Sequence, residues 1–275
     1  MTPQPDAAQS GVATPVEYRS AMATTSIALE ETPIIRLLLG WADDALILGH
    51  RLSEWTGHAP MLEEELALAN IALDLIGQAR LLYAHAGALS GHTEDQLAYL
   101  RDVPAWRNCL IMELPNGDFA FSIARLLLVS AVTDPFWQAA TASSDATVAA
   151  IAAKAEKETA YHLRHAGEWL VRLGDGTAES HRRAQAALDT LWPYTGELFT
   201  TVDPGLVAAG VAPDPQALRQ AWEASVAAIL ARATLVRPKD GWMQSGGRSG
   251  RHTEHLGFLL AEMQFLQRSY PGAAW

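Results

Sequence analysis

Apolar residues recur at three- and four-residue intervals along most of the chain, and the longest such pattern covers residues 61–87. On a helix this stretch has two apolar stripes that face nearly opposite sides, so it is predicted to be buried between neighbouring elements. Three glutamates lie in its first turn, and Gly87 follows its last apolar turn as a predicted left-handed cap. The predicted helix has about 26 residues and is roughly 39 Å long. One stripe consists of Leu68, Ile71, Leu75, Ala79 and Leu82, and the other of Leu62, Leu66, Ala69 and Leu73.

A polar thread of Asn70, Asp74 and Gln78 lies between the two stripes at four-residue spacing. Polar groups on an enclosed helix must be hydrogen-bonded, bound to a metal or placed at the rim of the core. Ordinary buried hydrogen bonding is the simplest interpretation of this thread, and a catalytic or metal site is the alternative.

The same periodicity, together with capping residues, predicts helices through the rest of the chain. Thr32, Thr93, Ser144 and Asp214 are predicted N-caps, and Pro135 is expected to kink or end a helix. Alanine and leucine dominate and period-two alternation is scarce, so the predicted fold class is all-α. The predicted helices besides 61–87 cover residues 34–55, 94–102, 105–114, 119–140, 145–173, 180–192, 216–234 and 252–270.

The first 32 residues differ in composition from the rest of the chain. They are rich in Pro, Gly, Ser and Thr and lack a positive start followed by an apolar core, so they are predicted to be a disordered extension rather than a secretory signal. No low-complexity linker or internal repeat follows, and residues 33–275 are therefore predicted to form one domain.

Charge and cysteine content exclude several classes of function. The net charge is −11 and the pI is near 5.2, which disfavours binding to nucleic acid or to an anionic membrane surface. The sequence contains no run of 18 apolar residues, so no membrane span is predicted. The single cysteine, Cys109, rules out an internal disulfide framework, is expected to be a small buried side chain and fits the reducing cytoplasm.

Four long helices with polar residues at mid-helix suggest the bundle that builds di-iron carboxylate centres. In such a bundle two helices each supply a Glu and two others each supply a Glu-x-x-His pair, because residues three apart project from one face. Neither Glu-x-x-His nor Asp-x-x-His occurs in this sequence. His50 and Glu54 are four apart and could form a structural pair on one helix face.

Five long blocks of the sequence are specific enough to indicate a family. They are GHRLSEWTGHAPMLEEELALANIALDLIGQARLL, NGDFAFSIAR, KETAYHLRHAGEWLVRLGDGT, SHRRAQAALDTLWPYTGELF and GRHTEHLGFLLAEMQFLQRSYPGAAW. Together they resemble the C-subunit family of the bacterial phenylacetyl-CoA epoxidase, over residues 33–275. The resemblance implies a ferritin-like four-helix bundle core with additional helices. It also implies a multicomponent monooxygenase whose A subunit carries the di-iron centre and epoxidises the aromatic ring of phenylacetyl-CoA.

The resemblance to this family also identifies where ligands would lie in the catalytic relative. Leu75 stands at the first Glu position, next to Asp74, and Gln78 stands at the first His position. Thr159 stands at the second Glu position, while His162 keeps the second His. These residues are therefore expected to be a vestigial site, hydrogen-bonded among themselves and to water, with no catalytic, cofactor-binding or metal-binding role.

The leading hypothesis is a non-catalytic, cytoplasmic structural subunit without a cofactor of its own. Its expected partners are the catalytic A subunit and, in the full complex, the B and reductase subunits. One alternative is a metal-dependent oxygenase with atypical ligands, and another is an acyl-CoA-binding module. The atypical ligands would be Asp74, Glu158, His162 and His165.

Two further features near the C-terminus are candidate sites. Arg248 and Arg251 lie in a glycine-rich loop that could receive an anion such as a phosphate of coenzyme A, but such a loop is weak evidence, and partner contact or plain loop geometry is the preferred interpretation. His252 and His255 have the spacing of metal ligands, but Thr253 between them is a predicted helix cap and no third ligand is near in sequence.

Overall fold

The protein is described by a computed structural model that covers residues 25–200 and 203–273. Every regular element in this part of the chain is helical, which confirms the all-α class. Short 3₁₀ segments occur at Val103–Ala105, Trp192–Phe199 and Gly247–Ser249. The α-helices are α1 (Pro33–Ser53), α2 (Leu62–Ser90), α3 (Glu94–Tyr99), α4 (Leu110–Glu113), α5 (Phe119–Ala140), α6 (Ala146–Gly174), α7 (Ala178–Leu191), α8 (Pro204–Ala208), α9 (Pro215–Arg232), α10 (Glu254–Met263) and α11 (Phe265–Ser269).

The four longest helices, α1, α2, α5 and α6, form a bundle. α1 packs along α2, α5 packs along α6, and α2 contacts α6. Aromatic side chains connect α1 to α5, where the indole of Trp41 stacks on the ring of Phe136 with centroids 3.9 Å apart. α7 and α9 cover the outer side of α5. One cluster of buried apolar side chains runs from α1 to α10.

α2 and α5 are the two helices of the described chain that are long and apolar enough to cross a membrane by length and composition alone. Of the apolar window in α5, 72% is buried inside the protein, as expected for a central core helix. The window in α2 is only 50% buried. α2 therefore has one face in the core and one face outside it.

The prediction that both apolar faces of α2 are buried is wrong. The stripe of Leu68, Ile71, Leu75, Ala79 and Leu82 lies in the core. In the other stripe, Leu62, Leu66 and Leu73 are 68%, 57% and 65% exposed, and Ala69 is half-buried. Apolar periodicity shows that a face can be buried, but it does not show whether the covering surface belongs to the same chain.

α2 also ends later than predicted. Its left-handed C-cap is Gly91, with φ of 76°, rather than Gly87. Gly87 lies inside the helix, where a Cβ atom would overlap the backbone carbonyl oxygen of His92. The absence of a side chain at position 87 therefore allows the turn after α2 to pack closely against the helix.

Most predicted helix starts are confirmed. The side chains of Thr32, Thr93 and Asp214 accept hydrogen bonds from backbone N–H groups in the first turns of α1, α3 and α9. α6 is capped by Asp145 and not by Ser144, since the Asp145 carboxylate accepts from the N–H groups of the following turn. Pro135 does not end α5, which continues to Ala140.

The predicted helix at residues 105–114 is mostly absent. Residues 106–109 belong to no helix, and the only α-helical part of this range is the four-residue helix α4. The backbone N–H of Arg107 donates to Asp43 at 2.7 Å, and that of Cys109 donates to Asp44 at 2.7 Å. Because these amides bind carboxylates of α1, they are not available for helical hydrogen bonds.

Two more buried carboxylates continue this arrangement. Glu197 accepts from the backbone N–H groups of Leu110 at 2.9 Å and of Gly246 at 2.9 Å. Glu113 accepts from the N–H of Thr253 at 2.6 Å, at the start of α10. Asp43, Asp44, Glu113 and Glu197 are here called the carboxylate network, and together they hold two irregular segments, residues 106–110 and 246–253, inside the protein.

Two buried arginines supply positive charge to the carboxylate network. Arg101 pairs with Asp43, and Arg248 pairs with Asp44. Burial raises the pKa of Asp44 to about 6, although the Arg248 guanidinium acts to lower it. The ion pair and the N–H groups therefore offset a large cost of removing this carboxylate from water.

Part of the predicted disordered extension is ordered. Residues 25–32 run along the surface of the domain, where the N–H of Ile27 donates to the carbonyl of Leu100 at 3.0 Å. Ile27 and Leu29 pack against the core, and Glu31 pairs with Arg107 at 2.7 Å. Residues 1–24 lie outside the described part of the chain.

Replacing Asp44 by Asn should destabilise the fold strongly, because Arg248 would remain buried without its countercharge. The expected loss in the free energy of unfolding is about 3–5 kcal/mol, measured by urea titration. Glu179→Gln is the control, since this exposed carboxylate also pairs with arginine but is screened by water, and its unfolding midpoint should hardly move. Equal midpoint shifts for the two variants would contradict a structural role for the network.

Candidate functional site

Polar side chains of α2 and α6 meet at the contact between these helices. The Nε2 of His162 lies 3.1 Å from the Oδ2 of Asp74, and the Gln78 side-chain amide donates to Glu158 at 2.9 Å. Gln78 and His162 are buried, while Asp74 is partly exposed. Two members of the predicted polar thread are thus hydrogen-bonded across the helices, and the third, Asn70, is exposed.

The other two positions that were predicted to be vestigial also face the interior. Leu75 is 4% exposed and Thr159 is fully buried. The Thr159 hydroxyl donates to the carbonyl of Ala155, one turn earlier in its own helix, at 3.0 Å. The expectation that these residues bond among themselves therefore holds for the Asp74–His162 pair, and it is wrong for Gln78 and Thr159.

Further His–carboxylate contacts extend the same line along α2 and α6. The Nε2 of His165 lies 3.2 Å from Glu64, and the Nε2 of His85 lies 3.0 Å from Asp145. Burial lowers the pKa of His165, whereas the nearby Glu64 carboxylate acts to raise it. These contacts, with the two given above, are here called the α2–α6 seam, and they join the two helices along most of their length.

The donors at the positions predicted to be vestigial do not suit a pair of iron ions. Leu75 offers no donor atom, the Thr159 hydroxyl is taken by its own helix, and the amide of Gln78 is directed to Glu158. No group of three or more His, Cys, Asp or Glu side chains placed to hold a metal occurs in residues 25–200 and 203–273. An oxygen-activating iron pair needs several anionic oxygen ligands, including bridging carboxylates, and these residues do not provide them.

His50 and Glu54 do not form the structural pair suggested by their spacing. One oxygen of Glu54 accepts from Arg51 at 2.7 Å, and the other accepts from the Asn116 amide at 3.0 Å. Burial lowers the pKa of His50, which lines a groove between the end of α1 and α10. A local ion pair with Arg51 and a tertiary hydrogen bond from Asn116 thus replace the predicted pair with His50.

The predicted anion loop has only one outward arginine. Arg251 is exposed, but Arg248 is buried under the loop. The guanidinium of Arg248 donates to Asp44 and to the carbonyls of Gly40 and Arg107, at 2.6 Å and 2.8 Å for the two carbonyls. Arg248 therefore holds the loop to α1 and is not open to an anion from solvent.

The C-terminal histidines have different surroundings. The Nδ1 of His252 lies 2.9 Å from Glu113, and its Nε2 lies 3.1 Å from the carbonyl of Trp106. His252 thus belongs to the interior that surrounds the carboxylate network, while His255 is half-buried on α10. Thr253 occupies the N-cap position of α10, but its side chain makes no capping hydrogen bond. Its own backbone N–H donates to Glu113.

Sequence reasoning missed the carboxylate network and the outward face of α2. The signal for the network is the pair Asp43 and Asp44 within an aliphatic helix, since charged side chains in such a setting need buried partners. The signal for the outward face is the second stripe itself, which periodicity alone assigns to the interior of this chain.

Comparison with known proteins supports the family suggested by the sequence blocks. A family model described as phenylacetic acid catabolic protein matches residues 20–275. The C subunit of the 1,2-phenylacetyl-CoA epoxidase of Escherichia coli (strain K12) is 49% identical over 236 residues, which are 85% of this chain and 95% of that protein. The chain therefore belongs to the phenylacetic acid catabolic protein family.

Proposed function

We propose that this chain is a non-catalytic structural subunit of a 1,2-phenylacetyl-CoA epoxidase in aerobic phenylacetate degradation. It packs against the catalytic A subunit, which holds the di-iron centre, and stabilises that subunit. B and reductase subunits complete the complex in the cytoplasm. The observation that carries the proposal is the row of exposed leucines on α2.

This row is a large apolar surface on a helix that is otherwise fixed in the core. Leu62, Leu66 and Leu73 are each more than half exposed, and Leu81 and Leu89 extend the row at 38% and 49%. Contiguous exposed apolar patches on soluble proteins mark interaction sites, and each fully buried leucine contributes about 1.5–3 kcal/mol. A permanent partner that covers this face would bury roughly 2,000 Å² or more in total.

The chemistry of the bundle interior supports a role without a metal. Of the four positions that match iron ligands in the catalytic relative, only His162 keeps a strong ligand, and its ring is paired with Asp74. The A subunit would supply the iron pair that activates oxygen. The role of this subunit is to hold α2 rigidly through the α2–α6 seam, so that the leucines of α2 can contact the partner.

Iron analysis tests the absence of a metal in this chain. The chain purified alone should contain far less than one iron per molecule, because Leu75 and Thr159 provide no anionic ligand. Elemental analysis after purification from iron-rich medium is the measurement. About two irons per isolated chain would overturn the proposal.

Charge placed on the exposed leucines should prevent assembly with the A subunit. The double variant Leu66→Arg, Leu73→Arg puts two cations into the centre of the proposed interface, so copurification with a tagged A subunit should be lost. The control is Val236→Arg, because Val236 is 71% exposed and lies outside α2. Retained binding by the double variant, with a circular dichroism spectrum like that of the parent, would place the partner on another surface.

Substitution of His162 by Ala separates a structural subunit from an oxygenase with atypical ligands. In the assembled complex, turnover of phenylacetyl-CoA should be unchanged within about twofold, since the imidazole only pairs with Asp74. Oxygen consumption is measured per assembled complex, which corrects for any loss of stability. Loss of oxygen consumption at intact assembly would favour the oxygenase.

A further inference from the structure

Gly77 lies in the middle of α2, on its outward side, where it is partly exposed. Glycine destabilises the middle of a helix relative to alanine, so a glycine at this place needs a physical reason. Among the described residues, a Cβ atom at position 77 would have only the amine of Lys154 within 4 Å, at 3.8 Å, which is an ordinary contact distance. The packing of this chain therefore does not require the side chain to be absent.

The other glycines of the four bundle helices do have such a reason. They are Gly40, Gly49, Gly87, Gly167 and Gly174. A Cβ atom on each of them would come within 3.1 Å of another atom of the protein. Gly40 leaves room for the guanidinium of Arg248, for example, and Gly167 leaves room for Ile229. Gly77 is thus the one glycine of these helices that leaves a hole open toward the outside.

Apolar side chains bound the hole at Gly77 along the axis of α2. Leu73 and Leu81 lie one turn before and one turn after Gly77, and both are exposed. Between two such side chains, the missing side chain of a glycine leaves a depression that a large side chain of another helix can enter, as in knobs-into-holes packing. The same leucines belong to the face assigned above to the catalytic partner. The hole therefore lies inside the proposed interface.

Charges beside the hole restrict the chemistry of an occupant. Asp74 and Arg80 lie three positions before and after Gly77, on the same side of the helix. On α6, Glu158 pairs with Lys154 at 3.4 Å. An anion in the hole would meet two carboxylates, and a cation would meet Arg80 and Lys154, so a charged occupant is unfavourable. The amine of Lys154, whose side chain is 60% exposed, can instead lie against the face of an aromatic ring.

We propose that an aromatic side chain of the catalytic A subunit inserts into the hole at Gly77 and packs between Leu73 and Leu81. The inference rests on the proposed function, because it concerns the same interface. It adds the residue that sets the position of the partner along α2, since at Gly77 no side chain blocks the approach of a large group. Aromatic residues are enriched at the cores of protein interfaces, where a few of them carry much of the binding energy.

Alanine at position 77 should have opposite effects on the isolated chain and on the complex. In the isolated chain, Gly77→Ala should raise the Tm by about 1–3 °C, because alanine favours the helix and its methyl group meets no obstacle. In the complex, the same methyl group takes space that the aromatic ring needs, and this overpacking should weaken binding of the A subunit by about tenfold. A lower Tm for Gly77→Ala would show that the chain itself needs the glycine and would overturn the inference.

Competition for the A subunit measures the effect on binding. A tagged A subunit is coexpressed with the parent chain and with Gly77→Ala, and the two captured chains are quantified by mass spectrometry relative to their soluble amounts. The parent should be enriched about tenfold. Gly257→Ala is the matched control, since Gly257 also has open space in front of it but lies on α10, and it should be captured as well as the parent.

The same competition tests whether the occupant is aromatic. Lys154→Met keeps most of the length of the side chain but removes the cation, so the parent should be enriched about two- to fivefold. Lys239→Met is the control, because Lys239 is also exposed but lies outside α2 and α6, and it should be captured as well as the parent. Equal capture of Lys154→Met and the parent would overturn the aromatic occupant.

The outcomes for the hole at Gly77 and for the proposed function are distinguishable. Equal capture of Gly77→Ala and the parent, together with loss of binding by the double variant Leu66→Arg, Leu73→Arg, would refute the hole and keep the proposed interface. Retained binding by that double variant would refute the interface, and the inference about Gly77 with it. A higher Tm together with poorer capture of Gly77→Ala would support both.

Discussion

The need to compensate four buried carboxylates is the constraint on which the irregular parts of this structure depend. Backbone that is neither helix nor strand can be buried only if its polar groups find partners. Asp43 and Asp44, from the middle of α1, satisfy amides of residues 106–110, and Glu197 joins that segment to the loop before α10. The carboxylates in turn need the guanidinium groups of Arg101 and Arg248. Each partner is thus required by another, and loss of one leaves an uncompensated charge in the core.

The α2–α6 seam joins two helices at another side of the bundle and has a different organisation from the carboxylate network. Its polar groups lie nearer to solvent and meet in pairs rather than in a shared network, as with Asp74 and His162 or Gln78 and Glu158. Where the family resemblance places iron ligands, the interior contains a packed leucine and a threonine bonded to its own helix. The bundle geometry is therefore maintained by apolar packing and by these pairs.

The sequence predicted several helix starts whose determining residues lie close together. Thr32 and Thr93 are caps whose partners lie within one turn, and both were predicted correctly. Residues 105–114 have good helical propensity, but carboxylates more than 60 positions away, at Asp43 and Asp44, determine their conformation. The inward position of Leu75 followed from helical periodicity, whereas the burial of Arg248 depends on where the loop folds, which no local pattern contains.

The two stripes of α2 show why helical periodicity needs a second criterion. Both stripes have the same spacing, so periodicity alone placed both in the core of one chain. They differ in what covers them, since Leu68, Leu75 and Leu82 lie in the core whereas Leu62, Leu66 and Leu73 are each more than half exposed. Periodicity shows which side of a helix an apolar residue faces, and the packing of the other helices decides which side is covered. An apolar face that the chain itself does not cover is then a candidate contact with another molecule, as proposed for the leucines of α2.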